Sequence, residues 1–298
     1  MKAGRKAKIV TVTVLLVVLF LISPFSKLLL SMGIMSVYSG MHEKESVTLN
    51  RGIEVNIPSG KGWYHFVMTF NPSAESFRSF LKNEARTDEG LKAVTASDIG
   101  RYDDLRLSIM YNFPTFDLGF GKGCSRLYDP SSEYYNSFYG AYATASDGTA
   151  FGFNADGGLN TAEIAAVAKY DFQKLVLGDF GLKASELVFE WSETELDTEA
   201  VFMGEAGWQR VDADLIVSGA SHPKQDFVQS YLQYGTPKYD LNKKEKPFIP
   251  VEMKGRIYAK YLPEQDISLF FYIVASQKEL LESCDRDILQ HSTVRETS

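Results

Sequence analysis

The N-terminus is the part of the sequence that most restricts what the chain can form. An apolar run at residues 9–22 contains no charged side chain, and no acidic residue precedes it. Basic residues do precede it, at Lys2, Arg5, Lys6 and Lys8. Basic flanks stay on the cytoplasmic side when an apolar segment enters a membrane. We therefore expect residues 1–36 to be a basic tip followed by a membrane anchor or signal segment, with the remainder outside the cytoplasm.

The sequence leaves open whether this segment is retained or cleaved. As a helix, the 14 residues of this run span only about 21 Å of a membrane core about 30 Å thick. The apolar character continues past Pro24 and Lys27, so residues 9–35 together are long enough to act as a single-pass signal-anchor. Small residues at positions 31–39 fit a cleavage site only loosely, and cleavage gives the alternative of a secreted protein.

Charge and motifs exclude several classes of partner for the remaining chain. Residues 36–298 carry 26 Lys and Arg side chains against 38 Asp and Glu side chains, a net charge of −12. Such a surface repels nucleic acid, so no nucleic-acid partner is expected. The glycines at 119–123 are not followed by the pattern of a phosphate-binding loop, so no nucleotide is expected. No pattern indicates a cofactor.

The hydrophobic pattern favours an α+β fold with a mostly antiparallel sheet and a few helices. The 20 Phe and 16 Tyr residues suit a core rich in β-structure. Alternating apolar residues predict extended structure at 47–70 and at 105–109. A closing hairpin is expected from residues 257–261 and 267–274.

Two further local signals lie in the middle of the chain. Asn160, followed three residues later by Glu163, predicts the start of a helix. Asp147-Gly148 predicts a tight hairpin between residues 138–145 and 149–154, because that turn needs positive φ.

The order of signals near Gly62-Trp63 recurs near Gly207-Trp208, each time with a strand, a proline and a helix signal after it. This echo predicts two β-α-β-β modules with a groove between them, and chance similarity is the alternative. The expected division is 1–36 as the membrane or signal segment, 46–125 as the first module, 126–198 as an inserted hairpin and helix, 199–284 as the second module and 285–298 as a polar tail.

The chain contains two cysteines, Cys124 and Cys284. In an exported protein they are a candidate disulfide, and two buried thiols are the alternative, because sequence alone cannot show whether they lie close together. Neither belongs to a C-x-x-C motif, so a thiol-redox enzyme is not expected.

Carboxylates are the abundant reactive groups. Asp212 and Asp214 share one face of a predicted strand, which makes them weak candidates for a catalytic pair, while a polar outer sheet face explains them more simply. The acidic residues at 193–199 are interpreted as a solvated strand, with calcium binding as the alternative. No spacing typical of a metal site occurs, and no metal is predicted.

Aromatic residues are concentrated in one short segment. Alternation there divides the rings between both faces of the expected hairpin, which predicts an exposed patch suited to protein contact or sugar stacking. Ordinary packing in the core explains the residues more simply. The candidate binding residues are Tyr134, Tyr135, Phe138, Tyr139 and Tyr142.

These features together favour a membrane-tethered, extracytoplasmic protein with a non-catalytic binding or assembly role and a protein partner in a cell envelope, at the periplasm or the cell surface. An envelope hydrolase that acts on glycan or peptide through Asp and Glu residues is one alternative. A solute-binding protein is the other.

Overall fold

The computed structural model describes residues 2–23, 51–64, 67–70, 74–95, 99–115, 126–173, 188–219 and 249–297, with isolated positions at 26, 33, 37, 41 and 49. Its helices are α1 (Lys2–Ile22), α2 (Ala74–Thr87), α3 (Glu89–Thr95), α4 (Thr161–Asp171) and α5 (Lys278–Asp287), with 3-10 turns at Ile99–Tyr102, Arg126–Tyr128 and Leu289–His291. Its strands are β1 (Ile53–Asn56), β2 (Met68–Phe70), β3 (Arg106–Asn112), β4 (Phe138–Ala145), β5 (Phe189–Phe202), β6 (Glu205–Ser218), β7 (Pro250–Leu262), β8 (Ile267–Ala275) and β9 (Thr293–Glu296).

One seven-stranded antiparallel sheet organises these elements, and the α+β class expected from the sequence is confirmed. The strand order is β2-β3-β4-β8-β7-β6-β5. The hairpin of β5 and β6 turns at Met203 and Gly204, whose φ angles of 55° and 76° fit the turn that matches strand twist. The predicted closing hairpin is the pair β7–β8.

Both faces of the sheet are covered, because alternate side chains of the central strands are apolar in both directions. On the helical face, α2, α3 and α4 pack Phe77, Leu91 and Ile164 against the strands. On the tail face, α5 contributes Leu280 and Leu281, and the separate β1–β9 pair packs beside it. The sheet is therefore the middle layer of three.

The expected helix after Asn160 is confirmed. Asn160 is the N-cap residue of α4, and its side-chain oxygen accepts a hydrogen bond of 3.2 Å from the backbone N–H of Glu163. This contact satisfies one of the backbone donors that a helix start leaves unpaired. Ile164 and Val167 then lie one turn apart on the buried side of α4.

The expected hairpin at Asp147-Gly148 is wrong, although a turn does occur there. Gly148 has the positive φ (73°) that the dipeptide predicts, but the following residues form further turns instead of a strand. The partners of β4 are β3 on one side and β8 on the other. Pairing with strands distant in the sequence places β4 at the centre of the sheet.

The strand order has two matching halves around the β4–β8 pair. β2, β3 and β4 run inward from one edge, and β6, β7 and β8 run inward in the same order on the other side, where β5 lies outside them as the edge strand. Helices α2 and α3 connect β2 with β3, while the connection from β6 to β7 lies mostly outside the described residues. The inserted segment predicted at 126–198 contributes β4 to the same sheet. The duplication and the domain boundaries stay predictions.

Helix α1 contains the N-terminal apolar run. All its described side chains from Val10 to Leu21 are exposed. Within the described part of the chain, no helix combines the length and the apolar character needed to cross a membrane. Most of residues 24–35, which the predicted anchor also requires, lie outside that part.

Candidate functional site

A groove of about 960 Å³ opens on the helical face at one end of the sheet. One wall is the loop after β4, including Thr149 and Asn154, and the other is formed where β6 and β7 run side by side. Gln209 of β6 and Tyr261 of β7 face it. The groove thus brings the first half of the sheet together with the second.

Gln209 fixes the loop wall to the sheet. Its side-chain nitrogen donates a hydrogen bond of 2.7 Å to the carbonyl of Gly157, and its side-chain oxygen accepts one of 3.1 Å from the N–H of Leu159. Within the loop, the amide of Asn154 donates 3.1 Å to the carbonyl of Leu159. The wall is therefore held in one shape by contacts within the protein, which reduces the cost of ordering it around a ligand.

A buried carboxylate holds the cation at the edge of the groove. Glu163 is fully buried and accepts hydrogen bonds from the hydroxyl of Tyr102 at 2.9 Å and from the N–H of Gly152 at 2.8 Å. Its Oε1 lies 3.3 Å from a guanidinium nitrogen of Arg101, which lines the groove. Burial raises the pKa of Glu163, while these three donors oppose that rise. Glu163 therefore acts by positioning Arg101.

The groove also has an apolar side. The rings of Phe153 and Tyr261 lie 6.4 Å apart, and Phe153 rests 6.1 Å from the buried ring of Phe270. The hydroxyl of Tyr261 donates 2.9 Å to Oδ1 of Asp266, which fixes the orientation of the ring. The groove therefore combines aromatic surface with amide, hydroxyl and guanidinium groups.

The side chains that line the groove are suited to hydrogen bonding with a polar ligand. No acidic side chain occurs among the described residues that line the groove. The part of the chain that the structure covers also contains no cluster of three or more His, Cys, Asp or Glu side chains that could hold a metal ion. Rigid polar groups beside an aromatic surface are typical of sites for polar ligands that have one apolar face.

Asp212 and Asp214 lie on the tail face, opposite the groove. Asp212 accepts two hydrogen bonds from the guanidinium of Arg256, at 2.8 and 2.9 Å. Asp214 pairs with Lys254 at 2.7 Å. Arg256 also bonds to Asp285 of α5 at 2.7 Å, so Asp212 belongs to a network that fastens this helix to the sheet. A catalytic role for the two carboxylates stays a prediction that this pairing does not support.

The five aromatic candidates do not form an exposed patch, and that expectation is wrong. Phe138, Tyr139 and Tyr142 are at most 2 % exposed, and Tyr134 and Tyr135 are below 10 %. Phe138, Tyr139 and Tyr142 lie on β4, between two other strands and covered on both faces, while Tyr134 and Tyr135 lie in the turn just before it. The alternative of core packing accounts for them.

The predicted disulfide lies partly outside the described residues. Cys284 is buried on α5, and burial raises the pKa of its thiol, with Asp285 and Asp287 contributing in the same direction. Cys124 is not among the described residues. The pairing of the two cysteines therefore stays a prediction.

The sequence does not indicate the groove. Its loop wall overlaps the expected second strand of a hairpin, and its other residues are scattered from position 101 to position 261. The available signal was the density of turn residues at 147–158, which include Gly148, Asn154 and Gly157. Such a stretch between a strand and a helix indicates a structured loop, and loops on rigid scaffolds often carry binding residues.

Comparison of the chain with models of protein families, with curated proteins and with solved structures found no match. The fold and the groove define the class by themselves: an α+β protein with a seven-stranded antiparallel sheet, covered on both faces, and a ligand-sized groove at one end of that sheet.

Proposed function

We propose that this is a non-catalytic binding protein of a cell envelope, tethered by its N-terminal segment, whose groove binds a glycan. The observation that carries the proposal is the groove itself, with Arg101, Asn154 and Gln209 held by contacts within the protein beside the rings of Phe153 and Tyr261. The half-buried ring of Tyr261 offers a flat surface for the apolar side of a sugar, with the buried ring of Phe153 packed beside it, while amide and guanidinium groups bond the sugar hydroxyls.

The tether is supported by the character of α1. Between Val10 and Leu21, α1 is apolar apart from Thr11 and Thr13 and exposes every described side chain, a pattern that suits a non-aqueous environment. Its basic start favours an orientation with the N-terminus in the cytoplasm. At its end, the hydroxyl of Ser23 donates 2.6 Å to the carbonyl of Phe20, which satisfies one of the acceptors that a helix end leaves free.

The binding role is tested by thermal unfolding of the full chain with oligosaccharides from envelope material. At a ligand concentration 100 times the dissociation constant, binding adds about 2.7 kcal/mol to the free energy of unfolding. We therefore expect the Tm to rise by about 5 °C. Mass spectrometry of the sugars after incubation should show them intact. Cleaved sugars would favour the hydrolase instead.

A variant that fills the groove tests whether the rise in Tm comes from binding there. Ala155 lines the groove and is exposed, so Ala155→Trp fills part of the groove without disturbing the core. We expect it to abolish the rise in Tm. Ala93→Trp, at an exposed position on α3, is the matched control and should keep the rise. Stabilisation by peptides but not by sugars would assign the groove to a protein partner.

The tether has its own test. The intact mass of native protein recovered from membranes should equal that of the full chain. A loss of about 33–39 residues would show a processed signal, and the protein would then be a secreted binder.

A further inference from the structure

A second cavity lies inside the core, between α4 and the sheet. Its volume is about 20 Å³. Most of its wall is apolar, but four side chains with polar atoms line it: Tyr142 of β4, Asp171 at the end of α4, Trp191 of β5 and Tyr272 of β8. The hydroxyl of Tyr272 already donates 3.2 Å to the carbonyl of Met110. The cavity therefore lies where a helix, a central strand and the edge strand meet.

Two of these polar groups need a partner. The hydroxyl of Tyr142 and the indole nitrogen of Trp191 are buried and make no hydrogen bond with any described residue. Tyr142 is 2 % exposed and stacked on Phe270, with ring centroids 4.3 Å apart, so its hydroxyl cannot turn toward solvent. A buried donor that lacks an acceptor loses its hydration without compensation, which proteins rarely tolerate.

The cavity has the size and the chemistry for one water molecule. A water needs about 10–15 Å³ of such volume and two to four polar partners. Trp191 can only donate, Tyr142 can donate or accept, and the carboxyl group of Asp171 has bonding capacity beyond the hydrogen bond from Tyr111. A single water can accept from Trp191 and still bond both other groups.

We propose that this cavity is a specific site for one ordered water molecule, bonded to Tyr142, Asp171 and Trp191. The water completes the hydrogen bonding of the two otherwise unpaired groups. It also links the edge strand β5 to α4 and to the centre of the sheet. The site is independent of the groove and of the ligand proposed for it.

The direction in which Tyr142→Phe changes the Tm tests this proposal. If the water is present, Tyr142→Phe removes one of its partners, and the Tm should fall by about 1–4 °C. If the hydroxyl is unpaired, its removal relieves the desolvation cost and the Tm should rise. A rise or an unchanged Tm in Tyr142→Phe overturns the proposal.

Tyr139→Phe is the matched control on the same strand. Its hydroxyl donates 2.9 Å to the carbonyl of Pro58 and accepts 2.8 Å from the side chain of Asn112. Its loss should lower the Tm whether or not the cavity is hydrated, which calibrates the size of the effect.

A double variant and a direct observation complete the test. Tyr142→Phe and Trp191→Phe remove partners of the same water, so their combined fall in Tm should be smaller than the sum of the single falls. A crystal structure that resolves ordered solvent should show one water within hydrogen-bond distance of Tyr142 and Trp191. A fall in Tm of the double variant equal to the sum of the single falls would count against the proposal. So would electron density in the cavity that shows no water.

Discussion

The hydroxyl of Tyr111 donates a hydrogen bond of 3.0 Å to Oδ1 of Asp171, and both side chains lie inside the core. Burial raises the pKa of Asp171 to about 8, and the hydrogen bond from Tyr111 only partly opposes this rise. Tyr111 belongs to β3 and Asp171 ends α4, so the pair connects the helix to the sheet. At neutral pH the carboxyl group is therefore protonated in the folded protein and ionised in the unfolded chain.

The first prediction concerns the effect of Asp171 on stability across the pH range. Its pKa is 3.8 when unfolded and about 8 when folded, so unfolding releases a proton between these values. The contribution of Asp171 to the free energy of unfolding is greatest below about pH 4. It then falls by about 1.4 kcal/mol per pH unit until pH 8. We expect Asp171→Asn to remove this slope and to raise the free energy of unfolding at pH 7.

Urea unfolding at a series of pH values measures both effects. Asp214→Asn changes a carboxylate that is paired on the surface and serves as the control, since it should leave the slope from Asp171 in place. Equal slopes in Asp171→Asn and in the unchanged protein would contradict the prediction.

The second prediction concerns Gly140, which lies between Tyr111 and Tyr272 in the sheet. The ring of Tyr272 passes over Gly140, and its hydroxyl donates 3.2 Å to the carbonyl of Met110. A Cβ atom at position 140 would overlap that carbonyl and lie 2.8 Å from the hydroxyl. Gly140→Ala should therefore lower the free energy of unfolding by about 1–3 kcal/mol or more in urea.

Gly90→Ala is the control for that substitution. Gly90 is exposed on α3, and its nearest neighbour would be a carboxylate oxygen of Asp88 at 3.3 Å. Because alanine favours a helix over glycine, stability should stay equal or increase slightly. A similar loss in both variants would show that the overlap at position 140 is not the cause.

The third prediction compares two cations on β7. Arg256 is bonded to Asp212, Glu282 and Asp285, and Arg256→Met removes the guanidinium that these three carboxylates share. Removing one member of a buried group of ion pairs typically lowers the free energy of unfolding by about 3–5 kcal/mol. Lys254→Met breaks only the exposed ion pair with Asp214 and should lower the free energy of unfolding by at most about 1 kcal/mol. Chemical unfolding of both variants gives the difference, and equal losses would contradict the role of Arg256 in fastening α5.

The fourth prediction concerns the thiol of Cys284. It is 2 % exposed, and burial raises its pKa, so the reactive thiolate is scarce and shielded. In a Cys124→Ser variant, iodoacetamide should modify Cys284 at least about 100-fold more slowly in the native protein than in denaturant. Fast modification of the folded protein, followed by mass spectrometry, would show that α5 opens readily.

Features specified by nearby residues could be predicted from the sequence. The start of α4 follows from Asn160 and Glu163, and the β7–β8 hairpin follows from two alternating runs separated by a short turn. The turn at Gly148 also follows from its need for positive φ. Each depends on contacts within a few residues of the signal, which is why local reasoning succeeds.

Features that depend on distant partners could not be predicted. The position of β4 is set by β3 and β8, and β8 begins more than 120 residues after β4 ends. The burial of Tyr139 and Tyr142 follows from that position, because a central strand is covered on both faces. The groove depends on the meeting of Arg101, Gln209 and Tyr261, which no spacing in the sequence indicates.

The pairing of β4 with β8 also determines when the protein can fold. A chain that emerges N-terminus first presents the unpaired edge of β4 until β8 has been made, and β8 ends at Ala275, 130 residues after the end of β4 at Ala145. An exposed strand edge recruits other strands, and pairing across such a long separation is slow. Folding should therefore begin late in synthesis or export, and a chain that stops before β8 should aggregate instead of forming half a domain.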